Sequence, residues 1–308
     1  FIGKDESGKG QMLNAMGPFW DGNEVWLITA GGVTFAAFPK TYAVMFSALY
    51  TPLLLLLFCL ILRGVSIEFR GHVESGPGKS ALDVVFFASS TLAALLLGVA
   101  FSNIFQGVPI DGEGVLQGNL FTLLNPYGLI GGGLFVLLFV HHGALFLATR
   151  TEGALHDRAV KAAGTAWPVL LIVAVGFLAA TWGYTDLYEN YLANPVLFII
   201  PVISVAGLLL SKVFAARKAW WKAWFASCAL IFSCAMFGIV GIFPSLLPSS
   251  ISPEYSLTIA NSSSTDLTLK IMLGVVIFFI PIVIAYQGWA YYTFREKVQE
   301  DRKYGEGY

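Results

Sequence analysis

The sequence predicts an all-α fold, a polytopic transmembrane helical bundle, and three observations predict it. Hydrophobic residues make up 56% of the 308 residues and charged residues only 12%, against about 25% charge in a typical soluble domain. Mean hydropathy is +0.73. The apolar residues gather into runs of roughly twenty, the length that crosses a hydrocarbon core of about 30 Å. Lipid offers backbone groups no hydrogen bonds, so such runs are helices. The short alternating segments of a membrane β-barrel are absent. The chain, 1–308, therefore reads as one integral-membrane helical domain.

Eight spans are predicted, at 12–38, 41–62, 82–105, 121–148, 162–183, 195–214, 222–247 and 267–293. The first carries Asp21 and Glu24 and no other charged residue. The second follows after the tight turn FPKT. The fourth contains Gly131, Gly132 and Gly133 which, with Gly31 and Gly32 of the first, favour close helix approach. At the start of the seventh stand Trp224 and, just before it, Trp220 and Trp221, beside Lys218 and Lys222, a pattern that anchors a helix at the membrane surface. Sixteen of the eighteen Lys and Arg lie at one set of span ends; only Lys40 and Lys270 lie at the other. The positive-inside rule places both termini in the cytoplasm. The loops GVPIDGEGVLQGN, TWGYTDLYENYLANP and PSLLPSSISPEYSLTIANSSSTD then face outside. The polar opening, FIGKDESGKG, has no apolar core of a signal peptide. A net charge of −1 gives no footing for nucleic acid. Cys59, Cys228 and Cys234 lie in apolar runs, at spacings that fit neither a zinc site nor a disulfide framework.

Chemistry concentrates in a few places. A helix beginning near Gln11 puts Asp21 about 15 Å along its axis, halfway through the core. A charge there costs at least about 2.5–3.5 kcal/mol, so Asp21 must face protein or water. Glu24, three residues on, shares its face. Two close carboxylates do not both ionise easily, which suits proton relay. A neutral acid bonded to a neighbouring helix is the bland alternative. In LRGVSIEFRGHVE, Glu68 and His72 are one turn apart and can pass protons near neutral pH. The plainer reading is a solvated helix end, with Arg63, Arg70 and Glu74 paired at the interface. His141 and His142 fall inside the fourth span. Either could be an axial haem ligand, but a histidine hydrogen-bonded between helices is the preferred reading. A secondary transporter with a midplane acid pair also fits the first span, although no inverted repeat accompanies it.

Several blocks carry a resemblance. GPFWDGNEVWLITAGGVTFAAFP, ILRGVSIEFRG, GVAFSNIFQGVP, LLNPYGLIGG and SLTIANSSSTDLTLKIM followed by AYQGWAYYTFR resemble, in order, subunit II of the cytochrome bd-type quinol oxidases. The family carries one more helix before this region, and FIGKDESGKG resembles the loop after it. The resemblance implies a complex in the bacterial cytoplasmic (inner) membrane that oxidises quinol and reduces oxygen to water. It implies a heterodimer with subunit I, which holds two b-type haems and one d-type haem, and it admits a small single-helix accessory subunit. This chain is then haem-free, with no catalytic, cofactor or metal ligands of its own, although a bound quinone or lipid is compatible. Matched by position, Asp21, Glu68, His72 and Tyr308 fall on a proton route, and Glu24 stands beside Asp21. Trp26 borders an oxygen route towards haem d. The heterodimer contact is expected through the faces carrying Asp21 and the glycine-rich helices.

Overall fold

The structure, a computed structural model, describes residues 2–298. In chain order its helices are α1 (Glu6–Met16), α2 (Trp20–Ala37), α3 (Pro39–Ala48), α4 (Tyr50–Arg70), α5 (Gly76–Gln106), α6 (Leu120–Leu123), α7 (Pro126–Arg150), α8 (Gly153–Tyr184), α9 (Leu187–Ala193), α10 (Ile199–Ala216), α11 (Trp220–Ile242), α12 (Ile259–Ser262) and α13 (Asp266–Thr293). The strands β1 (Ser245–Leu247) and β2 (Leu257–Thr258) form one small antiparallel pair. Among the described residues, seven helices are long and apolar enough to cross a membrane.

The first predicted span, 12–38, is not one helix. Pro18 has no N–H to bond the carbonyl four residues back, and its ring crowds that carbonyl. The chain stops helical winding at Met16, turns through Gly17–Phe19, and restarts at Trp20. The second predicted span, 41–62, also shifts. α3 and α4 meet at Leu49, where the backbone leaves helical geometry at φ −97°, ψ 18°. Pro52, in the first turn of α4, has no N–H for the carbonyl of Ala48, so the membrane-length helix is Tyr50–Arg70. The predicted 222–247 ends earlier, at Ile242, because residues 245–247 pair as β1.

The core lies among α5, α7, α8, α9, α10 and α11. Tyr127, Leu170, Phe177, Tyr191 and Phe237 are its buried centre. Each polar tip in it has a partner: the Tyr127 hydroxyl meets Thr181 Oγ1 at 3.0 Å, Tyr191 donates to the Phe237 carbonyl at 2.8 Å, and the Trp167 indole N–H donates to the Leu208 carbonyl at 2.8 Å. That is what allows aromatic residues with a polar tip to sit inside a dry bundle. Where α5 crosses α7, a Cβ on Gly98 would stand 2.5 Å from the Gly131 carbonyl oxygen and 2.7 Å from the Gly132 Cα. Gly131 and Gly132 thus serve packing inside this chain. Gly32 and Gly133 face open space, and Gly31 has only the Phe46 ring at 3.8 Å.

Asn125 caps α7 by accepting from the Gly128 N–H at 2.8 Å, and its amide donates to Asn103 Oδ1 at 2.9 Å. Asn103 in turn donates to the Leu123 carbonyl at 2.7 Å. The NPYG and FSNIF segments are therefore one interlocked joint. The loop after α5 is held to the loop after α11: the Val108 N–H donates to the Pro248 carbonyl at 2.9 Å and Ser249 Oγ to that of Ile110 at 2.6 Å. Asn190 of α9 closes the same end, donating to the Val240 and Gly241 carbonyls at 3.2 and 2.9 Å. The basic segments meet at the opposite end, through Arg158–Asp5, Arg70–Glu6 and Lys297–Glu152 at 3.3, 3.0 and 3.1 Å. The charge-sorted loops of the sequence thus occupy opposite ends of the bundle. α2 buries only Ala37 and α13 buries no residue. These two helices and one side of α4 form a broad apolar surface that none of the described residues covers.

Candidate functional site

The restart at Trp20 changes the setting of Asp21. It lies in the first turn of α2 rather than ten residues into a continuous helix. Its Oδ1 accepts from the Gly22 N–H at 2.6 Å, and its charge complements the positive end of the helix dipole. The side chain is exposed. Glu24 is half-buried, one turn deeper along α2. Its Oε1 stands 3.2 Å from Nη1 of Arg63 on α4, so an arginine as well as Asp21 faces this carboxylate. The pair is a charge contact rather than an aligned hydrogen bond, since Glu24 Oε1 and Arg63 Nε lack hydrogen-bond partners. Trp20 seats against the bare face of Gly64, whose Cβ would lie 3.2 Å from the indole ring. That contact and the ion pair hold α2 against α4.

Glu68 lies on the exposed side of α4, among Val65 and Phe69. His72 lies just past the helix end and is also exposed. The two do touch, but through the backbone: the His72 Nδ1 lies 3.1 Å from the carbonyl oxygen of Glu68. Asp21 and Glu68 therefore stand on the outer surface of helices that pack together, not in an interior channel of this chain. Trp26 is half-buried on α2. Tyr308 lies outside the described residues.

The inner side of α4 carries a network that sequence reasoning missed. Arg70, 5% exposed, binds Asp83 of α5 with Nε to Oδ1 at 2.5 Å and Glu6 of α1 with Nη2 to Oε2 at 3.0 Å. Lys9 adds a contact to Asp83 Oδ2 at 2.8 Å. The Asp83 carboxylate holds the Lys9 ammonium above its ordinary pKa by accepting its hydrogen bond. Arg63 and Arg70 thus pair with Glu24, Glu6 and Asp83, not with Glu74. A seven-residue spacing puts both arginines on one helix face. That spacing was the available signal; the partners came from other helices.

His141 and His142 are inside the bundle. His141, 2% exposed, has both ring nitrogens engaged, Nε2 with Ser211 Oγ at 3.1 Å and Nδ1 with the Ala163 carbonyl at 3.3 Å. His142 Nδ1 meets Ser227 Oγ at 2.8 Å. A doubly engaged imidazole does not fit an iron ligand, and the hydrogen-bonded reading describes both residues. Among the described residues no three His, Cys, Asp or Glu side chains converge as a metal site. Trp224, expected at the membrane surface, is 8% exposed; it packs on His142, Phe146 and Tyr291. An apolar cavity of about 80 Å³, lined by Phe135, Pro201, Cys234 and Phe237 among others, lies in the core.

Comparison with known proteins agrees with this architecture. Residues 1–294 match the family described as cytochrome bd terminal oxidase subunit II. The chain is 36% identical over 299 residues to cytochrome bd ubiquinol oxidase subunit 2 of Bacillus subtilis, covering 97% of this chain and 88% of that protein. It is 35% identical over 322 residues to the probable cytochrome oxidase subunit 2 of Haemophilus influenzae, covering 94% and 85%. It is 34% identical over 336 residues to cytochrome bd-I ubiquinol oxidase subunit 2 of Escherichia coli K12, covering 98% and 88%. The chain belongs to the cytochrome bd terminal oxidase subunit II family.

Proposed function

We propose that this chain is the haem-free second subunit of a quinol-oxidising terminal oxidase in the bacterial inner membrane, and that it supplies one wall of a proton route to the oxygen-reducing haem d of subunit I. The observation that carries the reading is the exposure of Asp21 and Glu68 on neighbouring helices of a membrane protein. A carboxylate on a lipid-facing helix is costly, so such groups face protein or water. Subunit I, seated on α2 and the exposed side of α4, converts that surface into a hydrated seam. His72 stands at the basic end of the seam, where the positive-inside rule puts the cytoplasm. Protons enter there, pass Glu68 and reach Asp21; the resemblance adds Tyr308 to the same route. Glu24 is held by Arg63 and shapes the seam beside Asp21.

The bare flank of α13 widens the contact with subunit I. The glycine face of α7 does not take part, because α5 already fills it. Trp26 borders the path of oxygen. The core cavity is far below the roughly 300–1,000 Å³ of ordinary ligand pockets. It has room for a diatomic gas and not for a quinone ring, so a bound quinone lies outside it.

The carrier reading draws on the acid pair of the first span, and the family match over 1–294 counts against it. The decisive experiment is an optical spectrum of the complex purified through this chain. Bands of haem b and haem d, with a second large subunit co-purifying and quinol-dependent oxygen uptake, are expected. A haem-free preparation that moves solute into liposomes would overturn the proposal.

A further inference from the structure

A polar chamber of about 280 Å³ lies between α1 and the start of α8, lined by Asp5, Ser7, Gly8, Gln11, Ala154, Leu155 and Arg158. None of these residues belongs to the seam described above. The chamber presents both signs of charge. On one side is the N-terminus of α8, a 32-residue helix whose N-cap, Glu152, makes no side-chain capping bond. Ala154 and Leu155 of its first turn line the chamber. Such an end carries about half a positive charge and open N–H groups, a ready site for an anion. Arg158, one turn further, donates from Nη1 to Asp5 Oδ2 at 3.3 Å, while its Nε is buried without a hydrogen-bond partner.

On the other side are two acceptors. The Asp5 carboxylate spends Oδ1 on the Gly8 N–H at 2.6 Å and faces the guanidinium with Oδ2. Gln11 is 2% exposed, and its Oε1 has no hydrogen-bond partner. A buried acceptor in that state calls for a donor from a ligand or an ordered water. The space itself depends on Gly8: a Cβ there would lie 2.8 Å from Arg158 Nη2 and 2.9 Å from Asp5 Oδ1.

A bare phosphate would satisfy the helix end and Arg158 but meet the Asp5 charge. A bare amine would satisfy Asp5 and Gln11 but meet the guanidinium and the helix dipole. We propose that the chamber binds a phosphate ester carrying a primary ammonium, the phosphoethanolamine group. Its phosphate lies on the α8 N-terminus and Arg158 Nε, and its ammonium donates to Gln11 Oε1 and Asp5. The group comes either from a membrane phospholipid or from the free compound.

The test uses the intact oxidase complex carrying the full-length chain, stripped of endogenous lipid by detergent exchange. It is titrated with dihexanoyl phosphatidylethanolamine, dihexanoyl phosphatidylglycerol and free phosphoethanolamine, read by calorimetry and native mass spectrometry. The ethanolamine lipid is expected to bind about ten-fold or more tighter than the glycerol lipid, the worth of one charged hydrogen bond. Gln11→Leu and Arg158→Gln should each weaken it by a similar factor. Asp5→Asn should remove the preference, bringing the ethanolamine lipid down to the level of the glycerol lipid. Free phosphoethanolamine binding as tightly as the lipid assigns the site to the soluble compound; binding of the lipid alone assigns it to the membrane. Should Arg158→Gln fail to assemble, Gln11→Leu and Asp5→Asn still decide. Absence of saturable binding, equal binding of both lipids, or binding unchanged in Gln11→Leu and Asp5→Asn would overturn the proposal and leave the chamber to water.

Discussion

Glu24 on α2 and Arg63 on α4 form an ion pair, Oε1 to Nη1 at 3.2 Å, with side chains 21% and 24% exposed. It joins the interrupted first span to the next membrane helix. It also separates the two acids that the sequence groups together: Glu24 is bound, while Asp21 remains at the surface.

Removing one member of that pair should cost more than removing both. A charge left alone in a largely dry site costs about 3–5 kcal/mol when fully buried, and the remaining exposure lowers this to about 2–3 kcal/mol. Arg63→Leu should therefore lower the melting temperature of the complex more than Glu24→Leu combined with Arg63→Leu. Additive losses in thermal unfolding of the four forms of the cycle would count against the pairing.

Asp21→Asn tests the relay. The substitution keeps size and hydrogen bonding but removes the titrating proton. The variant should assemble with normal haem bands and consume oxygen more slowly. The loss is expected at up to about 10²-fold, the lower range for positioned acid–base groups. Oxygen uptake normalised to haem d, with proton uptake into liposomes, is the measurement. A full rate with normal proton uptake would make Asp21 a helix-start residue and nothing more.

Two glycines of the packed helices should respond in opposite senses. Gly98→Val forces a side chain against the Gly131 carbonyl oxygen, from which an added Cβ would stand only 2.5 Å. Overpacking of this kind costs about 1–3 kcal/mol and should reduce the yield of assembled complex. Gly133→Ala meets nothing within 4 Å. It should stabilise α7 by up to about 1 kcal/mol through helix propensity. Comparing assembled yield and melting temperature of the two variants checks the crossing of α5 and α7.

The loop after α5 should loosen in acid. Asp111 Oδ1 accepts from the Val115 and Glu113 N–H groups at 2.9 and 3.0 Å, and Oδ2 accepts from Gln117 at 2.6 Å. These bonds, that from Val115 foremost, hold its carboxyl below the ordinary value of 3.8. A depressed carboxyl stabilises the fold fully above its unfolded pKa and loses that contribution as pH falls through the folded one. Protection of loop 107–119 from proteolysis should therefore hold from pH 7 to about 4 and decline below it. Asp111→Asn should flatten that decline; a loop equally protected at pH 3 and 6 in the native chain would refute the argument.

Fold class was legible because it follows from local composition. Each long apolar run must satisfy its backbone within itself, whatever its neighbours are. The same locality made the loops sortable, since the excess of Lys and Arg at one set of ends needs no tertiary information. The first span was misjudged for a local reason as well. Periodicity does not register that Pro18 ends a helix whose apolar pattern continues on either side. His141 and His142 were read correctly as bonded side chains, but Ser211 and Ser227 could not be named. Those partners are seventy and eighty-five residues away in the chain.

By itself the sequence determined that this protein is a membrane helix bundle, which ends of its helices share a side, and which few acids interrupt its apolar runs. Only the tertiary structure decided what those acids do to one another. It gave Glu24 to Arg63, bound Arg70 to Glu6 and Asp83, and left Asp21 and Glu68 on an open face. The reason is physical. Helical winding is fixed by neighbours three and four residues apart, whereas a charge in low dielectric is governed by whichever group other helices bring within a few ångströms of it.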